Sequence, residues 1–304
     1  MLTIIPAIIV TAACLWLLLT PQVLAALARV LTGANPLPVL GGFALIALVQ
    51  WLRAWRFAVM MTGHLTPPDA VLMRISFQLT FWNVLLPLRL GELSFPMLMK
   101  RHLGYGLLHS GGVLLIARLF DLATVGAILL GSALALDVWP GVGRLVLLLG
   151  TLGLALIPLG LAIGGLALRP WLARLPHVGG AAERLTAGFD AIGSTRAALA
   201  AAGLSVTLWL AFGLGAILVA EAAVQTVPPA AAMLGAAAGN IAFALPINGI
   251  ASIGPAQAAW VAATTYVGVP WEDAVVSALA LHAVVLANAV VAGGIAMVRW
   301  QGEV

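Results

Sequence analysis

The spacing of ionisable residues constrains this chain more than any motif. Asp, Glu, Lys and Arg are absent from Met1 to Ala28, Val30 to Leu52, Leu145 to Leu168, Ala197 to Ala220 and Ala274 to Val298, and another apolar stretch runs from Val113 to Leu136. Each interval is close to the roughly 20 residues that a helix needs to cross the hydrocarbon of a bilayer, where a central charge is costly. With 63% hydrophobic residues, 8% charged residues and a mean hydropathy of +1.13, the bilayer has to solvate most of the 304 residues. A water-soluble enzyme is excluded. The expected class is all-α, a polytopic membrane helical bundle. Its single integral membrane domain, residues 1–304, divides into a first half 1–168, a cytoplasmic loop 169–196 and a second half 197–304.

The uncharged intervals give about six full spans, the first retained at the N-terminus because no basic segment precedes it. Two regions do not read as simple crossings. Ala70 to Gly104 contains NVLLPLRLGELSFP, in which Pro87 and Pro96 interrupt the helix beside Arg89 and Glu92. Ala222 to Trp271 holds no charge, but Pro228, Pro229, Pro246, Pro255 and Pro270 break it, and its centre reads ALPINGIASIGPAQAA. Irregular backbone at membrane depth is tolerated only where protein or a water-filled cavity satisfies it. Both regions therefore read as broken re-entrant hairpins.

Basic residues set the orientation. With the 169–196 loop in the cytoplasm, Arg53, Arg56, Arg74, Lys100, Arg101, Arg169, Arg174, Arg184, Arg196 and Arg299 all face that side, and only Arg29 and Arg144 lie outside. Both termini are then cytoplasmic, in the cytoplasmic membrane. Trp51, Trp55, Trp139, Trp171, Trp271 and Trp300 fall near span ends, as interfacial anchors do. The two hairpins enter from opposite sides, which makes an inverted repeat, the architecture of many secondary transporters. Leu185, Phe189 and Ile192 recur at helical spacing in the loop, which predicts a short helix lying on the membrane surface.

Arg89 and Glu92 are three residues apart, so one helical turn brings them together as an ion pair. An intramembrane Arg can grip a phosphate with both arms of its fork; the alternative is a structural bridge across the hairpin. Asn83 and Pro87 are expected to satisfy the broken backbone beside Gly91, with Asn83 also a candidate for headgroup binding or the lipid path. Arg118 and Asp121, also three apart, neutralise one another or face the same cavity as Arg89. Asn248, Ser252 and Gln257 either line a lipid path or cap helix ends, with Pro246, Gly249, Gly254 and Pro255 making the second break. Arg53 and Arg56 read as a topology anchor, or in the functional version as an attraction for anionic lipid, and His282 and Asn288 as packing residues, with a proton relay the alternative for His282. Gly160 with Gly164, and Gly235 with Gly239, read as small-residue packing faces.

No cofactor, metal or nucleotide signature is present, and Cys14 is the only cysteine. The net charge of +4 is spread along span edges rather than clustered, which argues against nucleic acid.

The strings WLRAWRFAVMM, NVLLPLRLGE, ARLFDLA and LPINGIASIGPAQAAW resemble successive signatures of the flippase-like transmembrane family related to the N-terminal domain of lysylphosphatidylglycerol synthase. The resemblance implies movement of a polar-headed lipid, anionic or amphoteric, between leaflets, and no catalysis. It leaves room for a homo-oligomer or a lipid-synthesis enzyme as partner. In relatives a Glu usually follows the glycine pair of the second hairpin; here Gln257 stands there, which removes an intramembrane carboxylate. Two other readings remain at this stage. One is a lipid-headgroup enzyme using Glu92, Asp121 or His102 as acid or base, and the other a non-catalytic subunit of a lipid-synthesis complex.

Overall fold

The computed structural model describes residues 4–33, 35–172, 179–245 and 247–298, all helix, turn or loop. Arg174, Pro246, Arg299 and Trp300 lie outside the described residues, as do the side chains of Arg29, Arg169 and Trp171. Among the described residues five helices are long and apolar enough to cross a membrane: α3 (Pro36–Thr62), α6 (Leu107–Ala135), α7 (Val142–Leu172), α9 (Thr195–Ala223) and α12 (Trp271–Val298). The sixth expected span is not one helix. The N-terminal uncharged stretch splits into α1 (Ile4–Leu18) and α2 (Pro21–Gly33). Pro21 disfavours helical geometry at Thr20, whose hydroxyl instead accepts from the Val23 N–H at 3.3 Å.

Both broken hairpins form. The first is α4 (Ala70–Leu85), a 3₁₀ turn at Pro87–Leu93 and α5 (Ser94–Leu103); the second is α10 (Pro229–Ala244), a 3₁₀ turn at Ile250–Ser252 and α11 (Pro255–Tyr266). Asp69 starts α4 by accepting from the Leu72 N–H at 2.7 Å. At 16 residues each, α4 and α10 are about 24 Å long, short of the roughly 30 Å hydrocarbon thickness.

The repeat is inverted. α3 and α9 each precede a hairpin, and they pack antiparallel: Gly42, near the start of α3, abuts Gly215 and Val219 near the end of α9, while Gly63, just past α3, meets Ile192, just before α9. The hairpins are exchanged between halves, because α4 packs on α12 and α10 packs on α6. Two large apolar cores result, beside two smaller clusters. One joins α3, α4, α5, α6, α7, α8 and the start of α9 around Phe57, Phe95 and Phe120; the other joins α1, α2, α3, the end of α9, α10, α11 and α12 around Val219, Trp260 and Val276.

The loop helix α8 (Gly179–Ile192) forms, but its apolar face is not left open for a membrane surface. Phe189 and Ile192 are 2% and 0% exposed, packed into the first core beside Leu185, so the apolar face meets protein. Gly112 of α6 and Gly188 of α8 make this possible: a Cβ on Gly112 would sit 2.2 Å from the Arg184 carbonyl oxygen, so the backbones touch. Of the other small-residue faces, Gly235 and Gly239 do pack, against α11. Gly160 and Gly164 face open space, because α7 is the span least covered by the rest of the protein.

Candidate functional site

The halves enclose a cavity of about 350 Å³, within the range of small-molecule sites. Its lining is chemically divided. Ile46, Val49, Leu79, Val125, Phe212 and Val285 supply apolar surface, and Arg53, Arg89, Glu92, Arg118 and Asp121 supply charge.

The charges form a ladder. Asp121 on α6 is 5% exposed, and Arg56 on α3, 1% exposed, grips it with both arms: Nη1 to Oδ1 at 2.5 Å and Nη2 to Oδ2 at 3.1 Å. Arg56 also donates to the Ser205 hydroxyl at 2.8 Å, and the Trp209 indole donates to Asp121 at 2.7 Å. Arg118, one turn before Asp121, reaches its Oδ2 at only 3.4 Å and lies 3.0 Å from Glu92. The same Glu92 oxygen pairs with Arg89, which donates to the Phe243 carbonyl at 3.3 Å and stands 5.1 Å from the Phe243 ring centre. The chain Arg56–Asp121–Arg118–Glu92–Arg89 thus ties α3, α6, the first break and the end of α10 together. Arg118–Asp121 is a local consequence of helical spacing and Arg89–Glu92 is local to the first 3₁₀ turn, whereas the rungs between them are tertiary.

The breaks cross. Arg89 has φ 57°, a left-handed conformation costing a non-glycine residue about 1–3 kcal/mol, and the ladder holds it there. Gly91 presses so close to the end of α4 that a Cβ would lie 2.3 Å from the Asn83 nitrogen. Ser252 of the second break donates to the Val84 and Asn83 carbonyls at 2.8 and 3.3 Å, satisfying the broken end of α4. The Asn83 side chain is on the cavity lining, where its pathway reading put it, with its Oδ1 unpartnered, and it does not cap the broken end as the other reading expected. Pro87 opens the first 3₁₀ turn and Pro255 opens α11. Asn248 is 1% exposed and lies outside the cavity lining: its amide donates to the Phe243 and Leu245 carbonyls at 2.8 and 3.2 Å, finishing α10. Gln257 lines the cavity while its Oε1 accepts from the Gly254 N–H at 2.7 Å, capping α11. Gly249 rests against Thr11 of α1, whose hydroxyl accepts from Ile250 N–H at 2.8 Å.

Arg53 and Arg56 are not surface anchors. Arg56 is the main partner of Asp121, a role expected of Arg118, and Arg53 lines the cavity. Arg53 Nη1 donates to the Gln50 Oε1 at 3.0 Å and to the Thr80 hydroxyl at 2.9 Å, while Thr80 donates to Gln50 at 2.8 Å. Gln50, Thr80, Trp209 and Asn240 belong to the lining and were not singled out from the sequence. The available signal was Gln50, Arg53 and Arg56 at three-residue intervals in an apolar helix, masked by Trp51 and Trp55. His282 lines the cavity with Nε2 unpartnered, whereas Asn288 is a satisfied packing residue that donates to the Phe43 carbonyl at 3.1 Å. Among the described residues no group of three His, Cys, Asp or Glu is placed to hold a metal ion.

A bundle with exchanged broken hairpins around an internal charged cavity is an integral multi-pass membrane protein with a polar site at depth. The family model described as the lysylphosphatidylglycerol synthase TM region matches residues 4–293, and the chain belongs to that family. Membership ties it to lipid headgroup modification or transport. No curated protein and no solved structure gives a match.

Proposed function

We propose that the protein moves a polar-headed phospholipid or lipid-linked intermediate between the leaflets of the cytoplasmic membrane, with both termini on the cytoplasmic side. The observation that carries this reading is the cavity between the two crossed breaks, apolar over much of its lining and charged at Arg89, Glu92, Arg118 and Asp121. A headgroup leaving water needs polar partners at depth, and its acyl chains need apolar surface; this lining offers both. The competing reading is a headgroup enzyme. Against it, Glu92 and Asp121 are each engaged by two arginines rather than presented alone to a substrate, and His102 is not on the cavity lining.

The test is reconstitution of the purified chain alone in liposomes, without nucleotide or a lipid-synthesis partner. Flux of a headgroup-labelled lipid above the protein-free rate is expected. Arg89→Lys, which keeps the charge and loses the planar fork, should lower that flux about tenfold or more while the protein remains folded. Folded protein giving only the protein-free leak across a panel of lipids would sink the translocation reading.

A further inference from the structure

Charge does not balance around the cavity. Arg53, Arg56, Arg89 and Arg118 bring four guanidinium groups against two carboxylates, Glu92 and Asp121, and both carboxylates are taken up by Arg56, Arg89 and Arg118. Arg53 has none. Among the described residues it makes no ion pair, and its hydrogen bonds run through Nη1 alone, to the neutral oxygens of Gln50 and Thr80. Its Nε is buried without an acceptor, and the same holds for Nε of Arg89 and Arg118. What the cavity lacks is negative charge, together with acceptors for these three Nε–H groups; His282 Nε2 is also unpartnered. The orphan oxygen on the lining, Asn83 Oδ1, belongs to an amide whose rotation would present its NH₂ group instead.

We propose that the cavity is an anion site seated on Arg53, with Thr80 and Gln50 holding the guanidinium, and that it takes a lipid whose headgroup ends in a phosphate monoester rather than one carrying a free amine. The proposal rests on the translocation reading and names its substrate class. A phosphate monoester brings acceptor oxygens and about −1.5 to −2 charges at neutral pH, which matches a surplus of two cations. A phosphodiester brings one negative charge. An aminoacylated headgroup brings donors and a positive charge, opposite to both needs. Both carboxylates on the lining already face arginines, Asp121 through both oxygens and Glu92 through Oε1, which meets Arg89 and Arg118, and Gln257 is neutral with its oxygen capping α11. Low dielectric amplifies this preference, because unmatched charge at membrane depth is costly.

Binding can be read separately from flux, by titrating the full-length chain in detergent micelles with lipid and following tryptophan fluorescence, since Trp209 and Trp260 line the cavity. The probes are short-chain phosphatidic acid, phosphatidylglycerol, lysyl-phosphatidylglycerol and inorganic phosphate. Phosphatidic acid should bind tightest, phosphatidylglycerol more weakly and lysyl-phosphatidylglycerol weakest. Arg53→Gln should weaken phosphatidic acid binding about 10- to 100-fold, as expected for loss of a charge-assisted contact, and Arg53→Lys should weaken it less. Lysyl-phosphatidylglycerol binding as tightly as phosphatidic acid would overturn the proposal, and so would full affinity in Arg53→Gln. Equal affinity for the two anionic lipids would overturn the two-charge match. Inorganic phosphate competing at the same concentration as phosphatidic acid would overturn the lipid assignment. If Arg53→Gln does not fold, competition between the two lipids on the wild-type chain still decides. Anion-selective binding without flux would sink translocation and leave the site standing; flux of lysyl-phosphatidylglycerol equal to that of phosphatidic acid would do the reverse.

Discussion

The two breaks occupy equivalent places in the inverted repeat and are closed by different chemistry. The first, Pro87–Leu93, carries Arg89 and Glu92 and is tied to α3 and α6 through ion pairs. The second, Ile250–Ser252, is uncharged and is closed by hydrogen bonds that Ser252 and Asn248 donate and that Gln257 and Thr11 of α1 accept. Both hold left-handed residues, Arg89 in one and Ala251 and Ser252 in the other. A repeat does not require its halves to share chemistry. Charge at membrane depth is affordable only in a network, so it gathers at one break, and the other serves as a latch whose Ser252 finishes the end of α4.

The largest test of this contrast removes a rung of the ladder. Arg56→Met leaves Asp121 buried with a weak Arg118 contact and the Trp209 indole, which should cost about 3–5 kcal/mol and show as a strongly lowered unfolding temperature in detergent. Adding Asp121→Asn should recover part of the loss. Wild-type stability in Arg56→Met would mean that the ladder does not hold the halves together. Next comes Gly91→Ala, where a methyl group would collide with the backbone of α4 2.3 Å away; a loss of about 1–3 kcal/mol is expected by the same measurement.

At the neutral break the effects should be smaller. Ser252→Ala removes the donor to Val84 and Asn83 and should cost about 1 kcal/mol, readable as faster hydrogen exchange at the end of α4. If exchange there is unchanged, the breaks do not support one another. Gln257→Glu should be smallest in stability, because a carboxylate oxygen can still accept from the Gly254 N–H. Its mark should fall on pH dependence. Above its own pKa the new carboxylate cancels part of the positive surplus, so flux of an anionic lipid should drop as pH rises through that pKa. A flat pH profile would indicate that Gln257 does not face the transported headgroup.

Periodicity and proline placement were enough to find both hairpins, because there the prolines stand beside glycine and polar residues; a proline alone, such as Pro158 inside α7, does not end a helix. The Arg89–Glu92 pair was equally legible, being three residues apart. Arg56–Asp121 was not: the partners are 65 residues apart, and nothing in either segment says which buried cation meets which carboxylate. Arg53 and Arg56 were misread because Trp51 and Trp55 imitate an interfacial belt, whereas these two rings pack on each other 5.0 Å apart. The left-handed conformations of Arg89, Ala251 and Ser252 fall on residue types that give no local signal for them. Thr20–Pro21 did signal the split of the first stretch, and the absence of charge outweighed it.

The contact between Gly112 and Gly188 works as a notch. Where side chains separate two helices, a shear of an ångström or two is absorbed by rotamer changes; here backbone lies on backbone and nothing between can yield. Sliding α6 along α8 would drive the Cβ of a neighbouring residue into that joint. Arg118 and Asp121 lie six and nine residues further along the same helix, so their depth is fixed relative to α8. Any rearrangement that opens the cavity therefore has to carry α6 and α8 as one rigid piece, or leave both still and move the first hairpin past them.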